Sequence, residues 1–351
     1  MKVLFLFSGS RAGLIEKIDQ GEYHGGGFWG MIQLPSFGVS AQYLEVEQVF
    51  PGWFASLIRK YIHIYAIHLT FFWKFFLYDV VFTSGAFFSQ LFFTLVSPKR
   101  PLWVMHDFSI KSLLGDETTM RQKVFAFMVS RSAGIVTLSQ DETTFLKKRF
   151  PHMNTKIEMI PFGVDLNFFK SSGLSVKNQI LAVGFDPDRD WKTLLLAVDG
   201  LDVDVVLATR PTRVEKFLPL PERVVIKQFS PRELVAEYEK SAVVVIPLDT
   251  SYGVNDAMGC STLFEAMAMS KPIIATRTKA METYIVNGDN GLLFEAGDHL
   301  DLRSKITSVL SSPELRQSLG GHAYDYACKN LDINVCGEQL ANFLKSLLNG
   351  R

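Results

Sequence analysis

Cysteine is scarce in this chain: Cys260, Cys328 and Cys336 are the only three among 351 residues. An odd, sparse set of this kind is no disulfide framework, and its spacing matches no zinc site. The three are read as small apolar side chains in a reduced compartment. An excess charge of either sign is lacking too, since 36 Lys and Arg balance 36 Asp and Glu. That excludes the broad basic footprint of a nucleic-acid binder. Residues 1–8 hold one lysine and a short apolar run before Gly9-Ser10-Arg11. The run is too short for the core of a secretory leader and is expected to be a first β-strand. The aromatic-rich segment 53–93 is broken by Arg59, Lys60, Lys74 and Asp79, so it is not read as a transmembrane span. Repeats and low-complexity tracts are absent.

What is there is apolar material. Hydrophobic residues make up 48% and charged residues 21%, enough to fill the cores of two ordinary domains. Short, continuous, β-branched runs at 3–7, 80–83, 102–105, 135–138, 157–160, 180–183, 203–208, 224–227, 243–246 and 273–276 predict buried parallel strands. Helical patterns at 142–150, 192–198, 232–240, 263–269 and 302–310 fall between them. Such alternation predicts an α/β fold with parallel sheets covered on both faces. Two sets of about five strands imply two doubly wound, Rossmann-like domains, expected over 1–168 and 169–334. The small, polar stretch Lys170-Ser171-Ser172-Gly173-Leu174-Ser175 suits a hinge. A helix over 335–351 is expected to cross back onto the first domain.

The most informative segment runs from Cys260 to Thr276, CSTLFEAMAMSKPIIAT. A loop with Gly253 and Gly259 precedes it, and a helix starts at Ser261 or Thr262. The free N–H groups and positive dipole end of such a start form an anion site. This puts Gly259, Cys260, Ser261, Thr262 and Leu263 beside a bound anion. Glu265, about one turn in, can accept hydrogen bonds from both hydroxyls of a ribose. On helix physics alone, an ordinary capped helix with an early Glu would look the same. After Val183-Gly184, a loop through Phe185, Asp186 and Arg189 leads into another helix. A cation there points into the crevice at the strands' carboxyl ends, where ligands of such sheets bind. His106, in Met105-His106-Asp107, also ends a strand and can hydrogen-bond a sugar hydroxyl.

The Cys260 segment resembles the donor-binding motif of retaining GT-B glycosyltransferases, in particular the large family four (glycosyl transferases group 1). That pattern runs Glu, seven residues, Glu, then Ala-Met-Ala, a small residue, Gly, Lys and Pro. Glu265 matches the second Glu, which in the family holds the nucleotide ribose. The first would fall at Ala257 and is absent; Asn255 or Asp256 is the candidate to take its place near the donor sugar. Ser270 stands where the family has Gly. Ile160-Pro161-Phe162-Gly163-Val164-Asp165 is similar to the family's Ile-Pro-Asn-Gly-Val-Asp crossing between domains. Residues 136–146 and 287–294 resemble two further family segments, the latter a late hairpin-like turn. Where the family carries Gly-Arg and a later Lys on the donor diphosphate, this chain has Gly184-Phe185 and then Arg189. Arg210 is the candidate for the second positive charge. His106 and Asp107 resemble the family's His-Asp motif near the donor sugar, and Gly9 to Arg11 its glycine-rich loop near the diphosphate and acceptor.

The resemblance implies a GT-B architecture, two Rossmann-like domains facing a cleft. The first binds the acceptor and the second a nucleotide-sugar such as a UDP- or GDP-sugar. It also implies retention of anomeric configuration, with the leaving phosphate taking the acceptor's proton and no metal or other cofactor. The expected acceptor is a glycan or lipid-linked sugar in cell-surface polysaccharide or glycolipid synthesis. A nucleotide-sugar epimerase and a non-catalytic transferase-like subunit are the alternatives; the losses at Ala257 and Phe185 favour the second. The location is expected to be cytoplasmic, at the inner face of the membrane. Between Gln48 and His106 the only acid is Asp79, against Arg59, Lys60, Lys74, Lys99 and Arg100. Residues 53–93 hold 15 aromatics. On a helix through 54–77, Phe54, Leu57, Ile58, Tyr61, Tyr65, Leu69, Phe72, Trp73 and Phe76 form one face. Aromatics beside scattered cations suit an anionic bilayer surface.

Overall fold

In the computed structural model, which describes residues 1–7, 9–97, 101–106, 110–251 and 257–349, the chain divides into two units. Unit 1 comprises Met1–Glu16, Gly27–Phe162 and Asn334–Arg351; unit 2 comprises Lys17–Gly26 and Gly163–Ile333. The strands described in unit 1 are β1 (Lys2–Leu6), β2 (Ser40–Tyr43), β3 (Val80–Thr83), β4 (Leu102–His106), β5 (Gly134–Thr137) and β6 (Ile157–Met159). They pair in the order β2-β1-β3-β4-β5-β6, all parallel. β3 and β5 are buried at every position, as expected of strands covered on both faces. β2, with the sequence SAQY, has no buried position. A polar edge strand of that kind leaves no apolar run in the sequence.

Unit 2 contains β7 (Gln179–Val183), β8 (Asp204–Ala208), β9 (Val224–Lys227), β10 (Val243–Ile246), β11 (Ile273–Thr276) and β12 (Leu292–Phe294). Their order is β12-β11-β10-β7-β8-β9, again all parallel. Counted from β7, this is the doubly wound order that reverses between its first and fourth strands, here β7 and β10. The carboxyl ends at such a reversal open a ligand crevice. Residues 287–294 are more than a turn: after a bridge between Asn287 and Gly291, β12 extends the sheet beside β11.

The core of unit 2 gathers Ile180, Ala182, Leu194, Leu207, Val245 and Phe294. In unit 1, Phe75, Phe93 and Trp103 pack with ring centroids 5.5 to 5.9 Å apart. Each such pair adds roughly 0.5–1.5 kcal/mol beyond its buried area. The helix Ile333–Asn349 lies in unit 1 from Asn334 onward, and Lys345 Nζ donates to the Phe37 carbonyl at 2.7 Å.

Two expectations fail for clear reasons. The stretch 170–175 is no hinge. It lies inside unit 2, pinned to Glu239 by Ser171 Oγ (2.6 Å), Ser172 N (2.8 Å) and Oγ (2.7 Å), Gly173 N (2.6 Å) and Leu174 N (2.8 Å). Burial pushes the Glu239 carboxyl up, but these donors outweigh it and hold the group at about 2. The chain passes between the units at Phe162 and Gly163 instead.

The continuous helix expected over 54–77 is likewise absent. An α-helix spans Gly52–Tyr61, and a 3-10 run spans Ile67–Leu77 with a kink at Phe71 (φ −137°, ψ 33°). Between them Tyr65 N–H donates to His63 Nδ1 at 3.3 Å, a local turn bond that diverts a donor from the helix. The kinked run turns Ile67, His68, Phe71 and Phe75 inward. Arg59 is not a spare cation either, because its guanidinium is paired with Glu47 (Nη2 to Oε2, 2.7 Å) and lies 3.8 Å from Glu45. Lys99 and Arg100 lie outside the described residues. Among the described residues, no helix is long and apolar enough to cross a membrane.

Candidate functional site

At the carboxyl ends of β7 and β10, unit 2 holds a cavity of about 380 Å³ whose lining includes Gly184, Asp186, Arg189, Ser261, Thr262 and Glu265. Arg189 is placed by the backbone on both sides. Its residue bridges to Leu248 just after β10, and its Nε donates to the Val183 carbonyl at 3.1 Å. The side chain crosses directly over Gly184, where a Cβ would sit 2.0 Å from Nε, so only glycine admits this path. Arg189 is 7% exposed. Burial pulls its pKa down, and the Asp186 carboxylate, 3.4 Å from Nη2, works the other way. A guanidinium stays protonated regardless. Its buried Nη1 meets no acceptor among the described residues. A buried charge with an unused donor is costly unless an anion completes it.

Beside it starts the helix Cys260–Ala268. Gly259 caps it at φ 77°, the left-handed region, and a Cβ there would meet Ile246 Cγ2 at 2.9 Å and Arg189 Nη1 at 3.5 Å. The unused guanidinium nitrogen and the helix start are therefore neighbours. Two expected donors drop out. Cys260 N–H is spent on the Ala257 carbonyl (3.3 Å) and Leu263 N–H on the Gly259 carbonyl (2.9 Å), and both side chains are fully buried. The N–H groups of Ser261 and Thr262 have no acceptor among the described residues. With Arg189 Nη1 they form a set of three donors whose chemistry suits an anion.

Glu265 faces the same cavity and accepts from Tyr238 Oη at 2.8 Å. Burial pushes its carboxyl up to about 7, against the pull of that hydrogen bond. Tyr238, fully buried on the helix Pro231–Lys240, was not singled out from sequence. The available signal was that a buried tyrosine needs a partner for its hydroxyl.

Other candidates fall differently. Arg210 is exposed after β8 and does not line the cavity, because the chain turns there into a 3-10 helix, Pro211–Arg213. Arg213 instead reaches the loop, its Nε donating to the Phe185 carbonyl at 3.0 Å. Ala257 lines the cavity with a methyl group. Asn255, Asp256 and Asp107 lie outside the described residues.

In unit 1, His106 ends β4 and is 3% exposed, under the Trp29 ring at 4.9 Å and beside Phe82 at 5.4 Å. Burial draws its pKa down to about 3, so the imidazole is neutral at ordinary pH. Trp29 has φ 52°, an uncommon conformation for so large a residue, held by packing on Phe7 at 4.8 Å. Gly9 is exposed, Ser10 Oγ donates to Glu45 at 2.7 Å, and Arg11 N–H donates to the same carboxylate. The Arg11 guanidinium lies 4.6 Å above Phe7 with Nε on the Gly27 carbonyl (3.2 Å). Among the described residues, no group of three His, Cys, Asp or Glu is arranged to hold a metal ion.

A family model described as glycosyl transferases group 1 matches residues 211–326. The group 1 match contains Arg213, Tyr238, the Cys260 helix and Glu265; Arg189 and His106 precede it. An uncharacterized glycosyltransferase of Methanocaldococcus jannaschii is 40% identical over 65 residues, 18% of each chain. A D-inositol 3-phosphate glycosyltransferase of Corynebacterium diphtheriae is 27% identical over 143 residues, 40% of this chain and 32% of that protein. The chain thus matches under a third of the length of either relative. HepE of Anabaena, solved in complex with UDP-glucose, superposes with a TM-score of 0.72 at 17% identity, covering 99% of this chain and 100% of HepE. The fold is that of the GT-B glycosyltransferases.

Proposed function

We propose that the chain is a retaining glycosyltransferase that binds a nucleoside-diphosphate sugar in the unit 2 cavity and passes its sugar to a glycan or lipid-linked acceptor held by unit 1. The observation that carries this reading is Arg189, a buried guanidinium whose Nη1 has no acceptor among the described residues and borders the start of the Cys260 helix. A diphosphate completes that group, and Glu265 takes the ribose hydroxyls. The UDP-glucose bound to HepE, a protein of the same fold, supports a donor of this class.

In the reaction, the bond between the anomeric carbon and the phosphate oxygen breaks while the acceptor hydroxyl attacks the same face. The acceptor's proton passes to the departing phosphate. Negative charge grows on the diphosphate, which Arg189 and the Ser261 and Thr262 N–H groups would stabilise in this scheme. No side-chain base and no metal or other cofactor enter this scheme. His106, neutral, orients the donor sugar.

The location we infer is the cytoplasmic face of a membrane, in cell-surface polysaccharide or glycolipid synthesis. Its support is the exposed aromatic surface of unit 1, including Trp53, Tyr61, Trp73 and Phe76. The test is a screen of UDP- and GDP-sugars against soluble and lipid-linked acceptors, with product configuration read by NMR. Acceptor-dependent release of nucleotide with retained configuration is expected. Conversion of the donor without acceptor would point to an epimerase, and nucleotide binding without turnover to a non-catalytic subunit.

A further inference from the structure

Unit 1 holds a cavity of about 460 Å³ that the proposed reaction does not use. It lies among the helices Phe87–Val96, Ile110–Leu114 and Met120–Arg131 and the turn at 63–65. Its walls are apolar: Phe87 packs 5.1 Å from Tyr65 and 5.3 Å edge-on to Phe125, with Leu91 and Met128 beside them. The volume falls within the range of small-molecule sites. An apolar cavity does not hold water well, so its natural filling is hydrocarbon. Among the described residues, His63 and Arg121 are the only basic residues that line the cavity, both are exposed, and none of the described lining residues is an acid. His63 Nδ1 accepts from Tyr65 N–H, which places the imidazole proton on Nε2 as a donor. Phe88, also in the lining, is an exposed apolar side chain.

We propose that this cavity takes the hydrocarbon tail of an anionic amphiphile, a polyprenyl or acyl phosphate, with the phosphate at Arg121 and His63. The charge pattern selects this occupant, because a wholly apolar molecule has no use for the two basic groups, and a free phosphate has none for the aromatic walls. The inference rests on the lipid-linked acceptor reading and assigns the acceptor's lipid to a place apart from the nucleotide cavity.

Calorimetry below micelle-forming concentrations tests it with decyl phosphate, 1-decanol and inorganic phosphate as probes. Decyl phosphate should bind saturably at one per chain, and decanol about tenfold more weakly for want of a charge-assisted contact. Inorganic phosphate should show no measurable binding in unit 1. Arg121→Glu should weaken decyl phosphate by about tenfold or more and leave decanol unchanged. Met128→Trp, or Val124→Trp at the rim if the first fails to fold, should abolish both. Absence of saturable decyl phosphate binding, or binding that survives a folded cavity-filling variant, overturns the proposal. The two readings fail separately. Lipid-acceptor turnover without decyl phosphate binding sinks the cavity alone. Decyl phosphate binding in an enzyme that uses only soluble glycans supports the cavity and sinks the lipid-linked acceptor.

Discussion

The two cavities occur in units built on the same parallel-sheet plan, yet their linings share almost nothing. The unit 2 cavity opens where β7 and β10 end, so it inherits a guanidinium threaded over Gly184 and helix-start N–H groups that have no acceptor among the described residues. The unit 1 cavity is walled by side chains of three helices and the turn at 63–65, most of them aromatic or aliphatic. On the proposed reading, a polyanion is recognised where a helix start and a guanidinium offer donors, and hydrocarbon where apolar side chains form the wall.

The sharpest way to break this contrast is to disturb each backbone path with one methyl group. Gly184→Ala puts a Cβ 2.0 Å from Arg189 Nε. It should abolish nucleotide binding and cost about 1–3 kcal/mol of stability, as overpacking does. Gly27→Ala in unit 1 meets nothing within 4 Å, and should stay within about 0.5 kcal/mol of wild type. Denaturant unfolding of both variants checks this, and equal losses would contradict it.

A smaller effect separates the cavities by pH. The Glu265 carboxyl is held at about 7 without ligand, and ribose hydroxyls donate to its ionised form. Binding should therefore release a proton, and uridine or guanosine affinity should fall roughly tenfold between pH 8 and pH 6. Glu265→Gln should flatten the profile, and a sloping profile in that variant would assign the titration elsewhere. The sign for stability is opposite. A carboxyl raised above its unfolded value contributes most at low pH, and loses that contribution as pH rises from about 4.5 through about 7.

The smallest expected effect concerns the unit 1 surface. Wild type should float with anionic vesicles, and Lys60→Ala should lower partition by about 1 kcal/mol, roughly fivefold. Arg59→Ala should do less, since Glu47 already neutralises that guanidinium. Arg189→Ala should leave flotation unchanged. A wild type that stays at the bottom of the gradient would remove the membrane from the account.

Much of the fold was legible because buried parallel strands are continuous apolar runs; β3, β10 and β11 coincide with the predicted bounds. β2 escaped because it is polar and sits at an edge. The helix over 54–77 was misread because apolar spacing does not reveal the turn bond between His63 and Tyr65. In the site, Arg189 and Glu265 could be found from their places after a strand and within a helix's first turns. Tyr238 was missed because the need of a buried tyrosine for a hydroxyl partner does not say which partner, and on an amphipathic helix it reads as core until its hydroxyl is seen on Glu265. Cys260 and Leu263 were overcalled because sequence does not say which early N–H groups of a helix are already spent.

The central claim is that unit 2 binds a nucleoside diphosphate through Arg189. Calorimetric titration of UDP and of GDP into wild type and Arg189→Ala, with fold checked by circular dichroism, tests it most directly. The account predicts saturable binding of at least one of the two nucleotides at one site per chain. Affinity should fall by roughly 1.5–3 kcal/mol in the variant, the worth of a charge-assisted hydrogen bond in a site. Unchanged affinity in a folded Arg189→Ala, or no binding of either nucleotide to wild type, would contradict it.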